Sequence, residues 1–557
     1  MGFMATIKAQ QAMRAHGKGD LEQAKKLYEE AIDKGLMSAR PMLGYAILLI
    51  REGSYDKAMP LLIKAQKCPD LTPDQKSQLF VDYAACLMKK GELDKAIHLL
   101  EKQHNRAPIG LTYQTLGYMY VEKYSGAKPV AEAVPEKAAE APEMPDTEAS
   151  TEAAEEQPKV KTQEDIDREW QEGIDKMFAF IQESVDYDDE DPVCLDNLGQ
   201  AYYRVTGDEY VRRSFMNLYD NIRRNEITIV GNGGGDQPYH PAVMGEGWDH
   251  TAVEQTNPDI TRMMETCVGV TWMKFCSQIL RLTGDPSAVD EIEKYIYNGL
   301  LGAMKPSGDG FSYVNLFNGE KVTNYGWGTT FGSLPVTCCN LNGPMGLAYI
   351  PFVAVMESDR GPVVNLYNAA RAELSTPQGD SLSLRIETDF PLSDRVLVRV
   401  DPHAASLFTL SLRIPSWSER TVVKVNGKKV RSVEPGAYLS LERIWKPGDR
   451  VELAFDMRCR LLDAPRGSNR AGDSFQALVW GPIVLARDEN IDPDYDEPVR
   501  VVAGKDRVVR VKRVAPTLAS TRLEFEVPTD DGPIRMTDYA SVNGWEGAHI
   551  CTWLPVK

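Results

Sequence analysis

A chain of 557 residues has room for three or four domains of roughly 150 residues each, which excludes a small stapled scaffold. Its 81 acidic against 63 basic residues leave a formal charge of −18 and a pI near 5.1, which argues against nucleic acid as a partner. Hydrophobic residues make up 43%, no apolar run reaches the roughly 18 residues of a spanning helix, and no membrane partner is expected. The first twenty residues lack the apolar stretch of a secretory leader. The nine cysteines, an odd number spread unevenly, read as thiols of a reducing compartment, so the expected location is cytoplasmic.

The first elements are repeats. AHGKGDLEQAKKLYEEA, REGSYDKAMPLLIKA and KKGELDKAIHLLEK share one template, with Gly19, Gly53 and Gly91 at the turns and Ala24, Ala58 and Ala96 in register behind them. The first two turns stand 34 residues apart and the next two 38, with CPDLTPDQ supplying extra loop. Small residues at the alanine positions let paired helices approach closely, and the stretch resembles a tetratricopeptide array, an α-solenoid that implies a protein partner. A fourth unit opens at LTYQTLGYMYVEKYSG, where Gly117 and Gly126 are spaced as Gly44 and Gly53 are. Residues 127–162 contain no aromatic residue and many Pro, Ala and Glu, so they read as a disordered acidic insert that interrupts a repeat. Helical periodicity resumes over 163–206 as the last repeat helices, with Gly199 matching Gly44 and Gly117.

After Gly207 the chain runs through a helix, a glycine-rich loop (VGNGGGD) and a loop rich in His, Trp and carboxylates. VGVTWMKFCSQILRL and SAVDEIEKYIYNGLLGAM then read as two helices of a hairpin around the turn Thr283-Gly284-Asp285. From about Pro362 to the end the period becomes two, as in LSLRIPSW and RVELAFDM, which predicts an antiparallel β-sandwich region over 362–557. The fold class expected is therefore multidomain α + β.

Four metal-ligating side chains fall in two tight groups, Glu265 and Cys267 in METC and Cys338 and Cys339 in VTCCN. Glu265 and Cys267 converge if they lie on an extended segment just ahead of the buried helix, and adjacent thiolates can grip one metal across a bend. This points to a Cys3Glu zinc site, with a pair of buried thiols and an exposed Glu as the bland alternative. Cys276, half a helical turn away from Cys267, reads as core, as do Cys68, Cys86 and Cys194.

In this order, ETCVGVTWMKFCSQILRLTGD, YNGLLGAM, FSYVNLFNG, TCCNLNGP, LRIPSW, VNG, ERIWKPGDRVEL and WGPIVLA resemble glycoside hydrolase family 127, the β-L-arabinofuranosidase group, from about Gly207 to Asp488. The resemblance implies an (α/α)6 barrel followed by β-sandwich modules. It also implies a retaining mechanism with a zinc-bound cysteine as nucleophile, an exception to the two-carboxylate rule. Carried over, Glu265, Cys267, Cys338 and Cys339 bind Zn2+ and Cys338 attacks the anomeric carbon of an arabinose-containing oligosaccharide or glycoside. The family's upstream acid/base Glu is matched best by Glu246 in Glu246-Gly247-Trp248, with Asp249 and Glu254 as neighbouring alternatives. Trp248 is a candidate for stacking on a sugar, against a core role, and His240 and His250 are weaker candidates for sugar hydrogen bonds.

Only residues 207–361 supply barrel-like sequence, a partial (α/α) barrel, and the family's first half has no counterpart in the resemblance. The resemblance, set beside the repeats and the missing half of the barrel, implies two functions. One is a zinc-dependent retaining hydrolase of β-L-arabinofuranosides fused to protein-interaction repeats. The other is a tetratricopeptide scaffold carrying a truncated, inactive hydrolase segment whose zinc is structural. A third, a sandwich that binds carbohydrate without hydrolysing it, ranks behind both.

Overall fold

The computed structural model describes residues 3–17, 19–124, 129, 162–187, 203, 207–234, 248, 250–257, 264–322, 329–331, 334–465, 474–545 and 547–557. It divides into two compact units, Met1–Phe215 and Met216–Lys557.

The first unit is built of helical hairpins. Helices α1 (Phe3–Gly17) and α2 (Leu21–Asp33), α3 (Ala39–Arg51) and α4 (Tyr55–Ala65), and α5 (Pro73–Lys89) and α6 (Leu93–His104) pair in turn. Gly19, Gly53 and Gly91 sit between the helices of each pair at φ +78°, +75° and +80°, a left-handed backbone that a side chain resists. Ala24, Ala58 and Ala96 are fully buried in the second helix of each pair, where the missing side-chain volume lets the helices close up. The extra loop ahead of α5 ends in a capping box, with Thr72 and Gln75 satisfying each other's free backbone N–H groups. A fourth hairpin joins α7 (Gly110–Tyr124) to α8 (Gln163–Tyr187). Tyr124 meets Trp170 edge-on at 5.0 Å and Tyr120 stacks with Phe180 at 5.7 Å, so the two helices run antiparallel. The insert thus interrupts a repeat between its two helices. The insert itself, apart from residues 129 and 162, lies outside the described residues, as do Gly126, Cys194 and Gly199.

The second unit takes over within α9 (Glu209–Asn225), whose Tyr219 stacks on Trp272 of α10 (Thr266–Thr283) at 5.4 Å. The predicted hairpin follows. Gly284 ends α10 at φ +69° and Asp285 caps α11 (Pro286–Lys294), accepting a hydrogen bond from the Ser287 N–H at 2.9 Å. Where the sequence predicts an uninterrupted second helix, α11 widens into a π-turn over Tyr295–Leu300. The glycine-rich loop presses there: Gly231 leaves a Cβ position only 2.6 Å from the Tyr295 nitrogen, and the Gly299 N–H donates to the Val230 carbonyl at 3.0 Å. Helix α12 (Cys338–Ala354) packs across α10, with the Ser277 and Tyr349 hydroxyls 3.2 Å apart.

Short strands already occur between Val314 and Val336, and the strands of the sandwich begin at Val355, slightly ahead of the predicted boundary. They are β1 (Val355–Ser358), β2 (Gly361–Val364), β3 (Ala370–Ser375), β4 (Ser381–Thr388), β5 (Arg395–Pro402), β6 (Ser406–Ile414), β7 (Val422–Val425), β8 (Lys428–Lys429), β9 (Ala437–Trp445) and β10 (Asp449–Ala454). They form a six-stranded sheet in the order β8-β7-β10-β5-β4-β3 and a four-stranded sheet in the order β9-β6-β2-β1. Alternation does what it predicts: Leu382, Leu384 and Ile386 of β4 and Val396, Val398 and Val400 of β5 are buried, while Arg385 and Arg399 between them face solvent. One pair departs from the antiparallel expectation, β2 running parallel to β6. From Cys459 onward the chain builds a separate sheet. It reaches back into the helical part, where Asn318–Gly319 pairs with Ile550–Cys551.

Arg413 on β6, fully buried, ties the sandwich to α11. Its guanidinium reaches Asp290 and Glu293, each at 2.5 Å, and Glu293 also accepts from the Trp417 indole at 2.8 Å. Arg413→Met leaves two carboxylates there without their cation, so it is expected to cost about 3–5 kcal/mol. Thermal melting of the full chain, with Arg413→Lys as the charge-retaining comparison, measures that loss.

Candidate metal and catalytic centre

Two helix starts build the site. Glu265 is the N-cap of α10, extended at φ −71° and ψ 137°, and Cys267 is the second residue of the helix. Cys338 and Cys339 are the first two residues of α12, behind the N-cap Thr337, whose hydroxyl accepts from the Asn340 N–H at 3.3 Å. The sequence reading places Glu265 and Cys267 together on extended chain and a bend between the two adjacent cysteines. In the structure three of the four donors instead sit in first helical turns. Backbone N–H groups with no helical partner gather there, and the dipoles of both helices favour negative charge at that point.

The four donor atoms all lie within 4.8 Å of one another. Cys267 Sγ is 3.5 Å from Cys339 Sγ, and Glu265 Oε1 is 3.4 Å from Cys339 Sγ and 3.6 Å from Cys338 Sγ. Tetrahedral zinc with bonds of about 2.3 Å to sulfur and about 2.1 Å to oxygen sets its ligands about 3.8 Å apart for S···S and about 3.6 Å for S···O. The donor set and its spacing therefore fit such an ion. Glu265 and Cys339 are buried, Cys267 is half-buried and Cys338 is exposed. Hydrogen bonds from the Cys267 and Cys339 thiols draw the Cys338 thiol well below the usual thiol range, while the Cys267 and Cys339 thiols are pushed up by the same sharing.

Residues the sequence reading passed over hold these helix starts in place. The Met264 carbonyl accepts from the side-chain amides of Asn232 at 3.2 Å and Asn315 at 3.0 Å. The Thr266 hydroxyl donates to the Ser312 carbonyl at 2.7 Å, and the buried Tyr295 hydroxyl to the Thr266 carbonyl at 3.0 Å. Gly269 leaves room for Tyr295, whose ring would stand 2.3 Å from a Cβ there. Asn340 Oδ1 accepts from the Phe311 N–H at 2.7 Å, and the Asn342 amide donates to Cys267 Sγ at 3.1 Å. Asn340 and Asn342 stand inside the quoted TCCNLNGP stretch, so their proximity was the available signal. Tyr295 and Asn315 carried none, because only folding brings them to the site.

Cys276 is buried in α10, with burial raising its thiol, as its helical phase predicts; Cys68 and Cys86 are buried as well. Trp248 is half-buried. Its ring meets Trp272 edge-on at 6.4 Å, and its indole N–H has no partner among the described residues. His250 is exposed at φ 53°, and Glu254 accepts from the Asn257 amide at 2.8 Å. Glu246, Asp249 and His240 lie outside the described residues. No helix among the described residues is long and apolar enough to cross a membrane.

Residues 195–351 match the family described as Beta-L-arabinofuranosidase, GH127 catalytic domain, and residues 362–457 match Beta-L-arabinofuranosidase, GH127 middle domain. A curated relative, the non-reducing end beta-L-arabinofuranosidase of Bifidobacterium longum subsp. longum, is 26% identical over 311 residues. The match takes in 52% of this chain and spans 44% of that relative. In fold the chain is similar to the crystal structure of a GH127 beta-L-arabinofuranosidase from Geobacillus stearothermophilus T6. The TM-score is 0.57 at 17% identity, over 94% of this chain and 91% of that one. A second solved GH127 beta-arabinofuranosidase gives 0.56 at 17% identity, over 93% and 87%. At these coverages the likeness in fold takes in residues ahead of 195, where neither domain family matches.

Proposed function

We propose that the second unit is a zinc-dependent retaining glycoside hydrolase acting on β-L-arabinofuranosides or closely similar glycosides, with Cys338 as its nucleophile. One observation carries the assignment of the nucleophile: of four converging donors, Cys338 is the one exposed to an incoming glycoside. The named activity of the Bifidobacterium relative supports the substrate class.

When zinc is bound, its charge keeps the thiols deprotonated at neutral pH. Cys338 sulfur then attacks the anomeric carbon as the glycosidic C–O bond breaks, and the departing oxygen takes a proton from the acid/base carboxyl. The same carboxylate next removes a proton from water, which attacks that carbon as the C–S bond breaks, so configuration is retained. Glu246 is assigned this role, with Asp249 as its alternate, and Trp248 the role of a platform for the sugar. The N-terminal hairpins are assigned to protein binding and the cytoplasm as the place of action.

A second reading rests on the closed donor set. Four protein ligands around one ion is the arrangement of a structural zinc, which suits a scaffold carrying an inactive hydrolase segment. Metal content measured alongside hydrolysis of p-nitrophenyl α- and β-L-arabinofuranosides by the full-length protein separates the two. Stoichiometric zinc with β-selective turnover is the expected result. Zinc without turnover supports the scaffold, and the absence of both overturns the two readings together.

A further inference from the structure

The solvent face of the six-stranded sheet carries a line of arginines. Arg371, Arg385, Arg399 and Arg450 stand directly opposite one another on four adjacent strands, β3, β4, β5 and β10. All four are exposed. Like charges placed opposite each other across a sheet repel, so three successive Arg–Arg pairs cost stability that the fold does not require at solvent-facing positions. Acidic neighbours offset part of it. Glu373 takes Arg371 at 2.6 Å, Glu387 takes Arg399 through two bonds of 2.7 and 3.1 Å, and Glu452 approaches Arg450 at 3.4 Å. Arg385, in the interior of the line, makes no ion pair within 4.0 Å among the described residues and shares only the longer-range field of Glu387, whose carboxyl it helps Arg399 to hold down. A groove of about 430 Å³ continues from the line, its charged lining made of Arg395, Lys424 and Arg450 with Glu387, Asp389 and Glu452, and it holds no aromatic residue. The surrounding segment differs in charge from the chain as a whole: residues 355–458 hold fifteen Lys and Arg against fourteen Asp and Glu, within a protein of net charge −18.

We infer that this sheet face binds a linear glycan bearing carboxylates, a uronate-rich polysaccharide, at a surface separate from the Cys338 centre. Guanidinium groups pair with carboxylates through two parallel bonds, and the strand spacing of about 4.8 Å presents them at intervals comparable to one sugar residue of an extended chain. The flanking glutamates supply acceptors for sugar hydroxyls. The same glutamates disfavour the denser phosphates of a nucleic acid, and with no aromatic side chain in the groove there is no platform for bases. Screening over about 8–10 Å at physiological salt separates this face from the acidic remainder of the chain. The inference does not depend on catalysis, because binding is read without turnover.

The test is gel retardation and calorimetry of the full-length protein with polygalacturonate, against fully methyl-esterified pectin and neutral galactan. Polygalacturonate is expected to retard the protein, less so as salt rises, while neither control does. The double variant Arg385→Ser/Arg399→Ser is expected to weaken polygalacturonate binding at least about tenfold with melting temperature and metal content unchanged. Failure of the wild-type protein to bind at low salt overturns the inference, as does a double variant that binds like wild type. Equal affinity for heparin, lost in the same variant, also overturns it, by showing a general polyanion patch instead of a uronate surface.

Discussion

Full-length protein carrying Cys338→Ser is expected to lose at least about 10⁴-fold in kcat on p-nitrophenyl β-L-arabinofuranoside while keeping its fold. The size of the loss follows from the role. A serine hydroxyl is almost wholly protonated at neutral pH and far less nucleophilic than a thiolate, so the route through a covalent sugar closes. The fold survives because Cys338 is the exposed donor at the start of α12 and fills no core volume, unlike the fully buried Cys339 beside it. The comparison between neighbours therefore carries the information. Cys339→Ser should lose activity too, but together with metal and melting temperature, since it removes a buried ligand. Cys338→Ser should separate the readouts, with activity gone and melting temperature within a few degrees of wild type. A Cys338→Ser protein that turns over near the wild-type rate excludes this residue as nucleophile whatever the metal does.

What the chain discloses before folding, and what it withholds, divides by the range of the interaction. The turn glycines and buried alanines of the first three hairpins were legible because each does its work within one repeat: Gly53 supplies a left-handed φ and Ala58 a close helix contact five residues later. The interruption of the fourth hairpin was legible for the same reason, from a compositional break between two periodic segments. The four donors were legible as two pairs of near neighbours, although not the backbone that presents them. Glu265, Thr266 and Cys267 read equally well as strand or as helix start; the bonds from Asn232, Asn315 and Tyr295 to Met264 and Thr266 decide it, and their partners lie 29 to 51 residues away. The π-turn at Tyr295–Leu300 has a similar origin, since Gly231 approaches it from a loop more than sixty residues earlier. A period of two predicted strands after Pro362 but could not divide them among sheets, because the pairing of Asn318–Gly319 with Ile550–Cys551 leaves no mark on either segment alone.

Removing the metal is expected to be the largest perturbation of stability available in the second unit. Without an ion, three thiols and a carboxylate converge within 4.8 Å at two helix starts, with Glu265 and Cys339 shut away from water. Ligand binding to the native state alone adds about 4 kcal/mol when the free ion stands at 1,000 times its dissociation constant, and structural zinc sites bind tightly enough to exceed that. Dialysis against a strong chelator should therefore lower the melting temperature of this unit and abolish turnover, and added zinc should restore both. The pH dependence has a definite sign. Thiols of the unfolded chain titrate near pH 8.5, whereas ligand thiols are held as thiolates in the loaded site, so the unfolded state binds more protons below that pH. Stability conferred by the ion is then fully present above about pH 8.5 and declines as pH falls toward the depressed titration of the bound thiols, by about 1.4 kcal/mol per pH unit for each thiol concerned. Melting curves of loaded and chelator-treated protein should accordingly converge from pH 8.5 down to pH 5. Curves that stay parallel across that range would mean that the thiols are not the ligands, and a chelator that leaves melting unchanged would leave no metal site at Glu265, Cys267, Cys338 and Cys339.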